Sequence, residues 1–117
     1  MRSINSVTSL LGVLAAAAVL AMSAPAYAAA DAAAAESLAR NEGCVKCHAV
    51  DKKKMGASYR DVAARYKGTP DGEANLIKRI TTGQSTKFPD GHEEAHAIIV
   101  TKDSAQIKNL VSWILSR

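Results

Sequence analysis

The stretch Cys44-Val45-Lys46-Cys47-His48 holds the only two cysteines among the 117 residues of this chain. The thiols stand two residues apart and a histidine follows at once, which is the spacing of a covalent c-type haem attachment. Each thiol can add to one vinyl group of the porphyrin, and the imidazole of His48 then lies where it can ligate the iron from the proximal side. The pattern predicts one covalent haem c, attached at Cys44 and Cys47.

Two other kinds of site also use a Cys-x-x-Cys pair. A thioredoxin-like redox pair expects a strand leading into the motif within a βαβ pattern. The sequence shows no strand pattern, and that interpretation gives His48 no role. A structural zinc site usually takes four ligands from two spaced pairs, and the sequence has no second cysteine pair. Haem attachment is the interpretation that uses both thiols and the histidine.

The first 28 residues have the pattern of a cleavable secretory signal peptide. Arg2 gives a positive start, an apolar run covers residues 10–21, and Ala26-Tyr27-Ala28 fits a small-x-small cleavage site. The apolar run is shorter than the ~20 residues that span a bilayer comfortably. We therefore expect residues 1–28 to be removed and residues 29–117 to form one small domain without a membrane span.

Charge and composition limit the function classes. The chain carries a net charge of +4 at pH 7, and Arg2 is the only charged residue of the leader. The basic residues are not clustered with aromatic ones, so nothing indicates a nucleic-acid partner. A domain this small buries limited apolar surface. A covalently held haem would add apolar contact at its centre, and we expect the apoprotein to be largely disordered.

Four segments carry the start and stop signals of helices. The last has an apolar stripe with i, i+3, i+4, i+7 and i+8 spacing that begins at Ile107. A capping hydroxyl precedes two others: Ser58 in one, and Thr69 followed by Pro70 in the other. The polar stretch from Gly83 to Thr101 is predicted as a long loop. The sequence thus predicts an all-α fold of about four helices, at residues 31–42, 58–67, 71–82 and about 102–115.

From about Glu36 to residue 117 the chain resembles the short bacterial class I cytochromes c, which are periplasmic electron carriers. The resemblance rests on residues 44–48, on Met55-Gly56, on residues 59–66 and on Trp113-Ile114-Leu115. It implies a class I cytochrome c fold, with about four helices around one covalently attached haem and the first and last helices packed together. It also implies a monomeric periplasmic electron-transfer protein rather than an enzyme, with periplasmic or membrane-bound redox proteins as partners.

Two haem contacts of the family are supplied differently in this sequence. Members usually have Gly-Pro where this chain has Gly56-Ala57, and the carbonyl there receives the proton of the proximal imidazole; we expect the Gly56-Ala57 backbone to keep that role. Members also have a methionine as sixth iron ligand in the loop before the last helix, and this loop has none. Met1 and Met22 belong to the leader. Met55 lies seven residues after His48, where the family has an apolar residue packed near the haem.

Two histidines occupy the loop from which the methionine is missing, within the run Gly-His-Glu-Glu-Ala-His at residues 91–96. His96 is followed by the apolar residues 97–100, which can cover a haem face, whereas two glutamates follow His92. We expect His96 to be the distal iron ligand, with His92 and then Met55 as the alternatives. An iron without a protein ligand on its distal side is the remaining possibility.

Bis-histidine ligation predicts a lower reduction potential than the family norm, because imidazole favours ferric iron more than a thioether does. Lys46 and the run Lys52-Lys53-Lys54 are either a docking patch for an acidic redox partner or a solvated loop. Trp113 is expected in the core, between helices and haem. Two other functions stay open: a haem-based gas-binding sensor, if the loop histidine leaves the iron, and a haem subunit of a periplasmic oxidoreductase.

Overall fold

The computed structural model describes residues 29–117. This part of the chain contains four α-helices, a short 3-10 turn and a two-stranded hairpin. The signal peptide expected at residues 1–28, with its cleavage site, lies outside the described residues. Within residues 29–117, no helix is both long and apolar enough to cross a membrane. In chain order the elements are α1 (Ala32–Asn41), the 3-10 turn (Cys44–Lys46), α2 (Tyr59–Tyr66), α3 (Gly72–Thr82), β1 (Ser85–Lys87), β2 (Glu93–Ala95) and α4 (Ser104–Leu115).

Side-chain caps start three of the helices within two residues of the predicted positions. The Asp31 carboxylate accepts a hydrogen bond from the backbone of the first turn of α1, and Asp103 accepts two at the start of α4. Ser58 behaves as predicted for α2: its hydroxyl accepts from the Asp61 amide at 3.1 Å and donates to the Asp61 carboxylate at 2.8 Å. Each cap satisfies amide groups that the helix itself leaves unpaired. The all-α class with four helices is confirmed.

The cap predicted for α3 is wrong. The Thr69 hydroxyl donates to the Tyr66 carbonyl at 2.8 Å and closes the turn after α2. Asp71 takes the N-cap position of α3, without a side-chain hydrogen bond. The turn between α2 and α3 is tight, because a Cβ atom at Gly72 would lie 2.1 Å from the Tyr66 carbonyl oxygen. Thr69 therefore belongs to the turn that ends α2, because its hydroxyl finds an acceptor there.

The stretch from Gly83 to Thr101 contains a hairpin that was not predicted. β1 and β2 pair antiparallel, with Ser85 opposite Ala95. At the tip, the Phe88 amide donates to the His92 carbonyl at 2.9 Å. Both strands are mainly exposed and polar, so they lack the apolar alternation by which a half-buried strand is recognised in sequence.

The first and last helices pack against each other, as the resemblance implied. The small side chains of Ala35 and Ala39 are buried in α1, which lets α4 approach closely. Asn109 on α4 fixes the start of α1: its Oδ1 accepts from the Asp31 amide at 2.8 Å and its Nδ2 donates to the Asp31 carbonyl at 2.9 Å. The buried core is built from Ala35, Ala39, Tyr59, Leu76, Ile99, Ile107, Leu110, Val111, Trp113 and Ile114.

Candidate haem-binding site

A cavity of about 1090 Å³ lies between the attachment motif and the segment that follows β2. Its size is at the upper end of small-molecule sites, which are typically about 300–1,000 Å³. Buried core residues of α3 and α4, Leu76 and Leu110 among them, form an apolar wall. Five of the predicted site residues line this cavity: Cys44, Cys47, His48, Met55 and His96.

The attachment motif turns sharply because of Gly43. This residue has a φ of 77°, in the left-handed region that favours glycine, and it ends α1 just before Cys44. The amides of Cys47 and His48 both donate to the Cys44 carbonyl, at 3.1 and 2.9 Å. Both thiols are free and partly accessible along the same cavity, and burial raises the pKa of the Cys44 thiol.

The His48 imidazole is fixed in one orientation. Its Nδ1 donates to the Ala57 carbonyl at 2.6 Å, so the carbonyl expected from the Gly56-Ala57 backbone is that of Ala57. The ring stacks on Tyr59 with centroids 5.6 Å apart. Gly56 makes room for it, because a Cβ atom at that position would lie 2.5 Å from His48 Cε1. With Nδ1 donating, Nε2 is the nitrogen left to ligate a metal.

The His96 imidazole faces His48 across the cavity, with ring centroids 6.1 Å apart and planes inclined by 35°. Its Nδ1 donates to the Ala97 carbonyl at 2.8 Å, and its amide donates to the Gln84 carbonyl at 3.0 Å. Burial lowers the pKa of His96, and the hydrogen bond to the Ala97 carbonyl partly opposes that shift. With Nδ1 donating, Nε2 is the nitrogen of His96 left to ligate a metal.

The spacing of the two rings fits a metal held between them. Two imidazoles that ligate one metal from opposite sides, with metal–nitrogen bonds of about 2 Å, have ring centroids about 6 Å apart. His48 and His96 have that separation, and each donates its other ring nitrogen to a backbone carbonyl, which is how metal-bound histidines are usually held.

Of two buried aromatic residues that carry a polar atom, Tyr59 lines the cavity and Trp113 does not. Tyr59 Oη and Trp113 Nε1 have no hydrogen-bond partner among the described residues. Buried donors of this kind normally find an acceptor. The two aromatic rings pack edge-to-face with centroids 5.3 Å apart, and burial raises the pKa of the Tyr59 phenol. Trp113 is buried, as expected from the sequence.

The structure places His92 outside the cavity of the facing pair, whereas Met55 shares that cavity. His92 stacks on Phe88 at the hairpin tip with centroids 4.4 Å apart; its Nδ1 contacts Asp90 and its Nε2 lies 3.4 Å from Glu94. It lines a smaller neighbouring cavity of about 290 Å³ instead of the main one. Met55 lines both cavities at their mouth, is 67% exposed and does not join the buried core.

The lysines singled out in the sequence surround the attachment turn. The backbones of His48 and Lys53 form an isolated antiparallel bridge, and the Lys54 ammonium donates to the Val45 carbonyl. Lys46 and Lys52 are exposed beside them. The four lysines therefore lie on the attachment turn and the loop that follows it.

One contact of the site is not predicted by any pattern in the sequence. The Glu42 carboxylate, which lines the cavity just before Gly43, accepts hydrogen bonds from the amides of Val100 and Thr101. The partners lie 58 and 59 residues apart in the chain, and no local pattern links them.

Comparison with known proteins shows the family of the chain. The family described as Cytochrome c matches residues 32–117. Cytochrome c-551 of Pseudomonas aeruginosa is 40% identical over 82 residues, covering 70% of this chain and 75% of that protein. Cytochrome c-552 of Hydrogenobacter thermophilus is 39% identical over 81 residues, covering 69% of this chain and 79% of that protein.

Solved structures show the same likeness. The class 1 cytochrome MtoD from Sideroxydans lithotrophicus ES-1 is 56% identical with a TM-score of 0.71, covering 75% of this chain and 97% of that one. Wild-type cytochrome c552 of Nitrosomonas europaea is 30% identical with a TM-score of 0.57, covering 69% of this chain and 96% of that one. The chain therefore belongs to the cytochrome c family, as a class I monohaem member that carries one covalent c-type haem.

Proposed function

We propose that this protein is a periplasmic electron carrier that moves single electrons between redox proteins, with His48 and His96 on its haem iron. Electron transfer is the common activity of the cytochromes c to which the chain is related. The finer proposal is supported by one observation above all: the imidazoles of His48 and His96 face each other with centroids 6.1 Å apart. A methionine ligand is not available in this loop, because the sequence has none there.

Each residue of the site has a distinct role in this proposal. Cys44 and Cys47 would hold the haem through thioether bonds, and Nε2 of His48 and Nε2 of His96 would ligate its iron. When bound, the haem supplies a metal centre that takes up and gives back one electron. Backbone carbonyls hold both imidazoles in place, at 2.6 Å for His48 and 2.8 Å for His96. Little rearrangement of the protein then opposes a change of charge at the centre.

Ligation by two imidazoles would also distinguish a carrier from a catalyst. If His48 and His96 both bound the iron, they would leave no free coordination position for a substrate or a gas. The same ligand pair sets the reduction potential below that of relatives with a methionine ligand, because imidazole stabilises ferric iron better than a thioether does.

The proposal includes the route and the partners of the protein. Residues 1–28 direct export and are removed, which leaves residues 29–117 as a monomer in the periplasm. Lys46 and Lys52–Lys54 form the docking patch, since exposed ammonium groups beside the attachment turn steer a partner with an acidic surface towards it.

The test uses the holoprotein, produced from the full chain in a periplasm that attaches haem to cysteines. We expect an intact mass equal to residues 29–117 plus one haem, haem that stays with the polypeptide in acid–organic extraction, and a reversible one-electron couple. Extractable haem would overturn the attachment. A high-spin ferric spectrum with rapid CO binding to the wild-type ferrous protein would replace the carrier by a gas-binding sensor. A stoichiometric second subunit that co-purifies would make the protein part of an oxidoreductase.

A further inference from the structure

We infer that Glu42 is a positioning residue for the distal ligand, and that its carboxylate holds the segment carrying His96 in place opposite His48. This inference rests on the proposed function, because it takes His96 as the iron ligand.

Glu42 joins the two sides of the site through one side chain. It caps the C-terminal end of α1 and is followed by Gly43 and the attachment turn. Its Oε2 accepts from the Val100 amide at 2.6 Å and its Oε1 accepts from the Thr101 amide at 3.0 Å. Hydrogen bonds to an ionised carboxylate are stronger than those between neutral groups. The proximal turn and the distal segment are therefore tied to the same residue.

The distal segment has few other attachments. Residues 96–100 belong to neither helix nor strand and connect β2 to the approach of α4. The His96 amide donates to the Gln84 carbonyl at 3.0 Å and the Ile99 amide to the Ile80 carbonyl at 2.8 Å. Ile99 is buried, but Ile98 and Val100 are 52% and 80% exposed, so their side chains anchor the segment poorly. The Glu42 carboxylate anchors the segment at the end that faces away from the hairpin.

This anchoring has a consequence for the iron. Outward movement of its segment lets a distal imidazole leave, and this local opening costs less free energy than unfolding the whole domain. Loss of the hydrogen bonds to Glu42 makes that opening more frequent. An external ligand such as CO, which must wait for the sixth position to become free, then binds faster, while the resting spectrum stays that of a bis-histidine haem.

The experiment compares two charge-neutralising variants of the holoprotein, both on or next to α1. Glu42→Gln keeps the size of the side chain but sets an NH₂ donor against an amide N–H. Glu36→Gln is the matched control, because Glu36 is exposed and its one ion pair within residues 29–117 is a 3.9 Å contact with Arg40. Stopped flow gives the rate of CO binding to the ferrous protein, and NMR gives the hydrogen exchange rates of the Val100 and Thr101 amides.

In Glu42→Gln we expect CO binding and exchange at both amides to become about tenfold faster, the factor expected for loss of one charge-assisted hydrogen bond. Glu36→Gln should match the wild type in both. If Glu42→Gln exchanges faster but binds CO at the wild-type rate, Glu42 only stabilises the segment, and the inference is wrong. If Glu42→Gln does not take up haem, Glu42→Asp is compared with the wild type in the same way, because it shortens the side chain but keeps its charge. A wild-type rate of CO binding in Glu42→Asp would also overturn the inference.

A third variant separates this inference from the proposed function. If His96→Ala keeps the wild-type spectrum and CO kinetics, His96 is not the ligand, and the proposed ligation fails together with the inference. If His96→Ala opens the iron while neither Glu42 variant changes CO binding, only the inference fails.

Discussion

The imidazoles of His48 and His96 face each other across the cavity, 6.1 Å apart between ring centroids. They reach this arrangement by different means. His48 is placed by the attachment turn and by the Ala57 carbonyl, only nine residues away in the chain. His96 directly follows β2, so the pairing of β2 with β1, in which Ala95 lies opposite Ser85, sets its position.

Replacing each loop histidine in turn tests the distal ligand. We expect His96→Ala to open the sixth position of the iron, because His96 is the loop histidine that lines the cavity with His48. The ferric spectrum should gain high-spin character and the ferrous protein should bind CO rapidly. His92→Ala should leave the spectrum unchanged, since His92 stacks on Phe88 with both ring nitrogens near carboxylates. Absorption spectra in both oxidation states provide the measurement.

Two outcomes would contradict this assignment. If the two variants exchange their phenotypes, His92 is the ligand, and the hairpin of the holoprotein differs from the one described above. If neither variant changes the spectrum and the wild type already binds CO rapidly, the iron has no distal protein ligand.

The proximal side is tested by adding one methyl group. In Gly56→Ala the new Cβ would lie 2.5 Å from Cε1 and 2.9 Å from Nδ1 of His48, closer than such atoms approach in proteins. The His48 ring must shift and weaken its hydrogen bond to Ala57. Overpacking of this kind costs about 1–3 kcal/mol of unfolding free energy. We expect a lower midpoint in chemical denaturation together with an altered haem spectrum.

Gly68→Ala is the control for this substitution. Gly68 has a φ of 81°, and a Cβ atom there would meet no described atom within 4 Å. Alanine at this position adds backbone strain of about 1 kcal/mol without touching the site. It should lower stability and leave the spectrum unchanged. An unaltered spectrum in Gly56→Ala would show that His48 does not depend on the space beside Gly56.

Features that depend on nearby residues could be predicted from the sequence. The Ser58 cap and the apolar stripe of α4 lie within single elements, so local patterns predict the four helices to within two residues. The attachment motif is equally local, since its chemistry depends on five consecutive residues. Thr69 shows the limit of this approach: a hydroxyl before a helix predicts a cap, but this one donates backwards to Tyr66.

Features that depend on distant residues could not be predicted. The sequence left His96 and His92 both open, because it does not reveal the hairpin that brings one beside the cavity and leaves the other at the tip. The carboxylate of Glu42 reaches Val100 across 58 residues. Ligation by His96 stays a prediction until the variants are measured.

Attachment of the haem should be needed for the fold. The cavity of about 1090 Å³ is lined by core residues such as Leu110 and Ile114, and this apolar wall loses its packing partner if the haem is missing. Domains of this size are stable by only about 5–15 kcal/mol, too little to offset such a loss. Cys44→Ala with Cys47→Ala should therefore lose most of the helical circular dichroism. A double variant that keeps full helicity and a cooperative thermal transition would show that the protein folds without its cofactor.

The docking patch should affect the rates at which charged redox reagents oxidise the protein. We expect Lys52→Glu to slow oxidation of the ferrous holoprotein by the anionic hexacyanoferrate(III) several-fold at low ionic strength, and to speed up oxidation by a cationic cobalt(III) complex. The reason is that the exposed Lys52 contributes to the positive field beside the attachment turn. Stopped-flow rates as a function of salt measure the effect. It should vanish near 1 M salt, where the Debye length is about 3 Å.

Lys108→Glu changes the net charge by the same amount at a different place. Lys108 is exposed on α4 beside Asn109, which bonds to Asp31 at the start of α1. The length of α1, about 15 Å for 10 residues, separates that end from Gly43. At 0.1 M salt this distance exceeds the Debye length of about 10 Å, so at that ionic strength Lys108→Glu should alter the two rates much less than Lys52→Glu does. Equal effects of both variants would mean that the net charge of the molecule, and not a patch at the attachment turn, steers the reagents.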